Sequence, residues 1–129
     1  MNKTNLSLAF EPFEPFEPFE PRYLEALAEE GIDLRAFLES WCRAMHDDLD
    51  RLDQLRHERE SASHVPALLH RISGAVGLVG AQHLMDALGR ASTSLSEHNA
   101  GSIDALIART RTLIAQLEAA PYIYRSARP

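Results

Sequence analysis

Apolar positions along this chain recur at helical spacing from residue 22 onward. Tyr23, Leu24, Leu27 and Ala28 line one side of a short amphipathic helix, and Gly31 is placed to stop it as a C′ residue. Asp33 is a natural N-cap for the next helix. There Leu34, Phe37, Leu38, Trp41, Met45, Leu49, Leu52 and Leu55 repeat as one stripe to about His57. Its opposite face is charged: Arg35, Glu39, Arg43, Asp47, Asp48, Asp50, Arg51 and Asp53. After a polar connection, Ser61 or Ser63 can cap a third helix, with Pro66 in its first turn. Gly80 weakens or bends that helix. Leu84, Leu88, Ala91 and Leu95 mark another, ending near Asn99-Ala100-Gly101. Ser102 is placed to cap the last helix, whose stripe is Ile103, Leu106, Ile107, Thr110, Leu113, Ile114 and Leu117, and Pro121 ends it. No run alternates as a strand would. The expected fold is all-α: four long helices with short links in an antiparallel up-down four-helix bundle, plus a short extra N-terminal helix.

Before these helices the pattern changes to period three. Residues 10–21 read Phe-Glu-Pro four times, from Phe10-Glu11-Pro12 to Phe19-Glu20-Pro21. Proline at every third position forbids a helical ladder and favours polyproline II, which has three residues per turn. The phenylalanines would then share one edge, about 9 Å apart. Such a strip is either a stiff acidic spacer or a strip that docks in a groove, on this protein or on a partner. The expected organisation is an extended or disordered segment over 1–21, a helical bundle over 22–120 and a loose tail over 121–129.

The third helix holds the chemistry. It contains Leu69-His70-Arg71-Ile72-Ser73-Gly74-Ala75-Val76-Gly77-Leu78-Val79-Gly80-Ala81. At about 100° per residue, Gly74, Gly77 and Ala81 fall within about 40° of His70, and Ala67 and Ser73 within about 60°. Leu68, Leu69, Ile72, Val76 and Val79 fall on the other side. Glycine inside a helix costs roughly 1 kcal/mol against alanine, so two of them beside a histidine suggest a face that must stay bare. A core histidine in a tight helix crossing is the competing reading, but it would turn the aliphatic side outward.

The order of four helices together with His-x-Ile-x-Gly-x-x-Gly-x-x-Gly-Ala resembles the histidine-containing phosphotransfer (HPt) domains of bacterial multistep phosphorelays. The family's usual run is His-x-Leu-Lys-Gly-Ser/Ala, then a second small residue and Leu-Gly-Ala. Here it reads His70-Arg71-Ile72-Ser73-Gly74-Ala75, then Gly77, then Val79-Gly80-Ala81. The resemblance covers about residues 22–118. It implies that His70 is the phosphoacceptor, relaying a phosphoryl group between receiver-domain aspartates. It implies a phosphocarrier rather than an enzyme, with no cofactor of its own and magnesium held by the receiver. Ala67, Arg71, Ser73, Gly74, Gly77 and Ala81 would then meet the partner, a receiver domain or a hybrid sensor histidine kinase. Two departures stand out. The family commonly carries lysine where this chain has Ser73, so Arg71 or Arg90 would have to neutralise the phosphate. Ser92 stands near where many relatives have a longer polar side chain that orients the imidazole. Loss of the lysine opens an alternative, a pseudo-HPt adaptor that binds a receiver without carrying phosphate.

Composition narrows the classes further. A net charge of −6 argues against nucleic acid as partner, and no 18-residue apolar run suggests a membrane span. Cys42 is the only cysteine, so no intramolecular disulfide forms. With no continuous apolar core near Met1, a cytoplasmic location is expected. One apolar stripe per helix suggests a monomer. His46, His57, His64, His83 and His98 are scattered without metal-ligand spacing, so no metal site is expected, and a histidine that binds a metal or cofactor is the weakest alternative.

Overall fold

The computed structural model describes residues 16–58, 63–93 and 100–119. These residues are all-helical, with five helices and no strand among them. The helices are α1 (Pro21–Glu29), α2 (Leu34–Arg56), α3 (Val65–Leu78), α4 (Gln82–Thr93) and α5 (Ala100–Glu118). Each of the longer four packs against its neighbours in sequence, α2 also packs against α5, and α1 rests on α2.

Local chemistry sets most of the boundaries. Glu20 caps α1 with its side chain, and Pro21 opens the helix where a missing N–H costs nothing. At the other end Gly31 has φ +94°, and the N–H groups of Gly31 and Ile32 bond to the carbonyls of Ala28 and Leu27. This is a Schellman stop, which requires a residue comfortable at positive φ. The Asp33 side chain accepts from the Ala36 N–H at 3.2 Å and so caps α2 as expected. Helix α3 has Pro66 in its first turn, but its N-cap is His64, with no side-chain capping bond. Ser63 therefore does not cap it, and Ser61 lies outside the described residues. Gly80, at φ +82°, does more than bend α3. Its N–H bonds to Gly77 O and that of Ala81 to Val76 O, a second Schellman stop that ends the helix at Leu78. Helix α5 begins at Ala100, so Ser102 is inside its first turn rather than its cap, and Ala100 and Gly101 open α5 rather than end α4. First-turn N–H groups have no intrahelical partner, so weak helix formers are tolerated there. Leu95, Asn99, His98 and the expected end at Pro121 lie outside the described residues.

The core is the union of the expected stripes. Leu38, Met45, Leu49, Leu52, Leu69, Ile72, Val76, Leu84, Leu88, Leu113, Ile114 and Leu117 are essentially inaccessible. Thr110 is fully buried on the α5 stripe and donates its hydroxyl to Leu106 O at 2.7 Å, which satisfies it without a partner helix. Trp41 sends its indole N–H across to Ala75 O at 2.9 Å, satisfying one of the carbonyls that the last turn of α3 leaves free. Polar pairs join α2 to α5 in opposite order: His46 with Glu118, Asp50 and Asp53 with Arg111, and Arg56 with Asp104. The same inversion joins α2 to α3, where Trp41 meets Ala75 and Asp48 meets Arg71. Among the described residues no helix is long and apolar enough to cross a membrane.

The segment ahead of α1 runs against the helices. Glu17 is buried at 3% exposure and Phe19 is packed on the core, whereas Phe16 is 69% exposed. Both carboxylate oxygens of Glu17 meet Arg109, at 2.9 Å from Nε and 2.9 Å from Nη2. The Glu20 N–H donates to Val79 O at 3.2 Å, across the turn between α3 and α4. The end of the Phe-Glu-Pro repeat is thus docked on this protein rather than a free spacer; Glu17 and Phe19 hold it, and Phe10 and Phe13 lie outside the described residues. Pro21, expected in the extended segment, is the first residue of α1.

Candidate functional site

His70 lies in the second turn of α3, with its side chain exposed. It makes no hydrogen bond or ion pair with any of the described residues. The opposite side of the helix is sealed: Leu69, Ile72 and Val76 are at 0% exposure. The aliphatic stripe therefore turns His70 outward, and the buried-histidine reading fails.

The small residues around it separate into two groups. A Cβ added at Gly74 would meet nothing within 4 Å, and Ala67 is exposed one turn before His70. These two border open space. Gly77 and Ser73 face α4 instead. A Cβ on Gly77 would lie 2.6 Å from Met85 Sδ, so this glycine admits the α4 side chain. Ser73 is only 8% exposed and donates its hydroxyl to Met85 O at 2.8 Å. Its expected role at a partner surface is corrected: about 60° around the helix from His70 lies the α3–α4 seam, not solvent. Ala81 is corrected too. It is fully buried, because the helical wheel does not extend past Leu78, and as the residue after the Gly80 turn it packs inward beside Val76.

The two candidate cations differ in placement. Arg71 reaches back to α2, with Nε 3.2 Å from Asp48 Oδ2. Burial pushes the Asp48 carboxyl above its ordinary value, the charge of Arg71 acts to lower it, and neighbouring Asp47 raises it again. Asp48, Arg51, Leu55, His64, Ala67 and Arg71 line a groove of about 250 Å³ between α2 and α3, on the Ala67 side of His70. Arg90 is exposed on α4 and lines a different groove, between α4 and α5, with Ala87, Ala105 and Arg109. Ser92 donates to Gly89 O at 2.7 Å, within its own helix. The structure brings Arg71, Gly74 and Ala67 around His70 and leaves Ser73, Gly77, Ala81 and Ser92 to internal packing.

The remaining titratable groups have structural partners or lie apart. His46 meets Glu118 at 3.1 Å, and His57 Nδ1 is 2.6 Å from Asp53 O. Burial pushes the Cys42 thiol up to about 12, with Glu118 adding to the effect, so it is a poor nucleophile. Among the described residues no group of three or more His, Cys, Asp or Glu could hold a metal ion.

Asp48 is the participant least visible in the sequence, because it stands among the charged residues assigned to the face opposite the apolar stripe. Its signal is present: Trp41, Met45, Asp48 and Leu52 follow one another at steps of four, three and four, which puts Asp48 on the buried stripe. Nothing distinguishes Glu17 from Glu11, Glu14 or Glu20 within the repeat. Comparison with known proteins adds no constraint, since no family model, curated protein or solved structure matches the chain.

Proposed function

We propose that this protein is a histidine phosphotransfer carrier of the HPt kind. In this reading α2 to α5 form an antiparallel up-down four-helix bundle, with α1 as a short extra helix. The ring of neighbour contacts and the inverted order of the α2–α3 and α2–α5 pairs support that arrangement. A ring nitrogen of His70 attacks the phosphorus of a phosphoaspartate on a receiver domain, the aspartate carboxylate leaves, and the ring N–H proton passes to solvent. A second receiver's aspartate reverses the step. Phosphoryl transfer needs chiefly in-line positioning and charge neutralisation, and the receiver with its magnesium would supply most of both.

The observation that carries this reading is an exposed His70, free of hydrogen bonds among the described residues, set on a sealed helix with open space at Gly74. A histidine kept for packing would be buried and would spend its ring nitrogens on neighbours. Incubation with a phosphorylated receiver tests it. The wild type should take up acid-labile phosphate and His70→Gln should not. Label that persists in His70→Gln, or no label with a receiver that binds, overturns the carrier reading.

One observation favours the adaptor alternative. Ser73, in the family's lysine position, is turned into the α3–α4 seam, and Arg71 is paired with Asp48, so no unpaired cation adjoins His70 on its own helix. Receiver binding without label would be its signature.

A further inference from the structure

We propose that Arg109 and Gln116 form a binding site for an extended Glu-Pro-Phe peptide, and that the three copies of this tripeptide in the chain compete for it in cis. The two residues lie seven apart on α5, hence on one face. Arg109 takes the Glu17 carboxylate in a fork, and that carboxylate is 4% exposed. Gln116 reads the backbone of the same residue on both sides. Its Oε1 accepts from Glu17 N–H at 2.6 Å and its Nε2 donates to Glu17 O at 2.9 Å. A side-chain amide that satisfies both main-chain groups of one extended residue treats the segment as a docked ligand strand, as in other modes of peptide recognition. Pro18 follows with no N–H to satisfy, and Phe19 packs on the core.

The recognised order is therefore Glu, Pro, Phe. The sequence carries it at 11–13, 14–16 and 17–19. Phe16 is 69% exposed because it is the third residue of the preceding copy, not of the one in the site. A shift by one repeat would bring the same residue types, three positions earlier in the chain, to the same seat. It leaves a three-residue bulge before α1, and loop closure grows only slowly with length. Glu11 and Glu14 lie outside the described residues, so their part rests on sequence identity.

Fluorescence anisotropy of a labelled Phe-Glu-Pro-Phe-Glu-Pro-Phe peptide tests this on the full chain. Wild type should bind weakest, Glu17→Gln more tightly, and the Glu11→Gln/Glu14→Gln/Glu17→Gln triple variant at least tenfold more tightly than wild type. Adding Arg109→Gln to the triple variant should abolish binding, and replacing the peptide's glutamates by glutamine should weaken binding to Glu17→Gln at least tenfold. Equal binding to wild type and triple variant, or binding that survives Arg109→Gln, overturns the site. Equal binding to the single and triple variants overturns the competition. Sedimentation of Glu17→Gln as a dimer assigns the spare copies to a second chain and overturns the cis arrangement. Circular dichroism checks the helical fold of each variant, and the substituted peptide needs only the conservative Glu17→Gln variant to fold.

Discussion

Gly74 and Asp48 each separate a requirement of folding from one of function. A Cβ at Gly74 meets no neighbour, and the position is inside a helix. Gly74→Ala should therefore stabilise the protein by roughly 0.5–1 kcal/mol, measured by urea denaturation. If the open face serves a receiver, Gly74→Gln should also fold yet slow phosphoryl uptake on His70; a stable variant with unchanged uptake would show the clearing is not a docking surface. Asp48 makes a prediction in pH. Its carboxyl is raised from the ordinary 3.8 mainly by burial. A carboxyl with a higher pKa in the folded chain binds its proton more tightly there. Its contribution to stability is therefore largest at low pH and is lost as pH rises from about 4 through the raised value. The stability of wild type minus that of Asp48→Asn should fall between pH 4 and pH 7; a flat difference would mean that Arg71 fully offsets the burial. The pattern of positions revealed His70 and its aliphatic backing because both follow from one helical period. It placed Ser73 and Gly77 on the bare face, where the structure turns both to Met85, since a small residue serves a bare surface and a close helix crossing equally well.

The glycines that end α1 and α3 show how an element's stop becomes a tertiary joint. Gly31 and Gly80 both have positive φ and close the same pair of hydrogen bonds. A Cβ at Gly31 meets nothing, whereas at Gly80 it would lie 2.5 Å from Glu20 Cβ and 2.8 Å from Glu20 N. Gly31→Ala should cost only the left-handed penalty of roughly 1–2 kcal/mol. Gly80→Ala should cost at least about 1 kcal/mol more, because a backbone segment must move. Equal losses in denaturant titrations would mean that Glu20 is loosely held. Element boundaries were legible wherever a local rule decides them, as at Asp33, Gly31 and Pro66. They were not where tertiary packing decides: His64 takes the α3 cap without a side-chain bond, and α5 reaches back past Ser102.

At the scale of the molecule, helix count and core composition followed from periodicity, because burying five amphipathic stripes together leaves few alternatives. The docked strand did not, because its anchor depends on a residue 92 positions away along the chain. That separation has a kinetic side. Glu17 and Gln116 are 99 positions apart, and their bonds exist only once α5 is in place. The strand should therefore close after the helices have assembled and should contribute little to the folding transition state. Arg109→Gln, which disables the seat for every repeat, should leave the refolding rate within about twofold of wild type and put most of its destabilisation into faster unfolding. Slowed refolding would place the strand in the nucleus. A segment that latches last would also set how long the native state survives each time the helices begin to part: the docked end of the repeat would govern the lifetime of the fold rather than its formation.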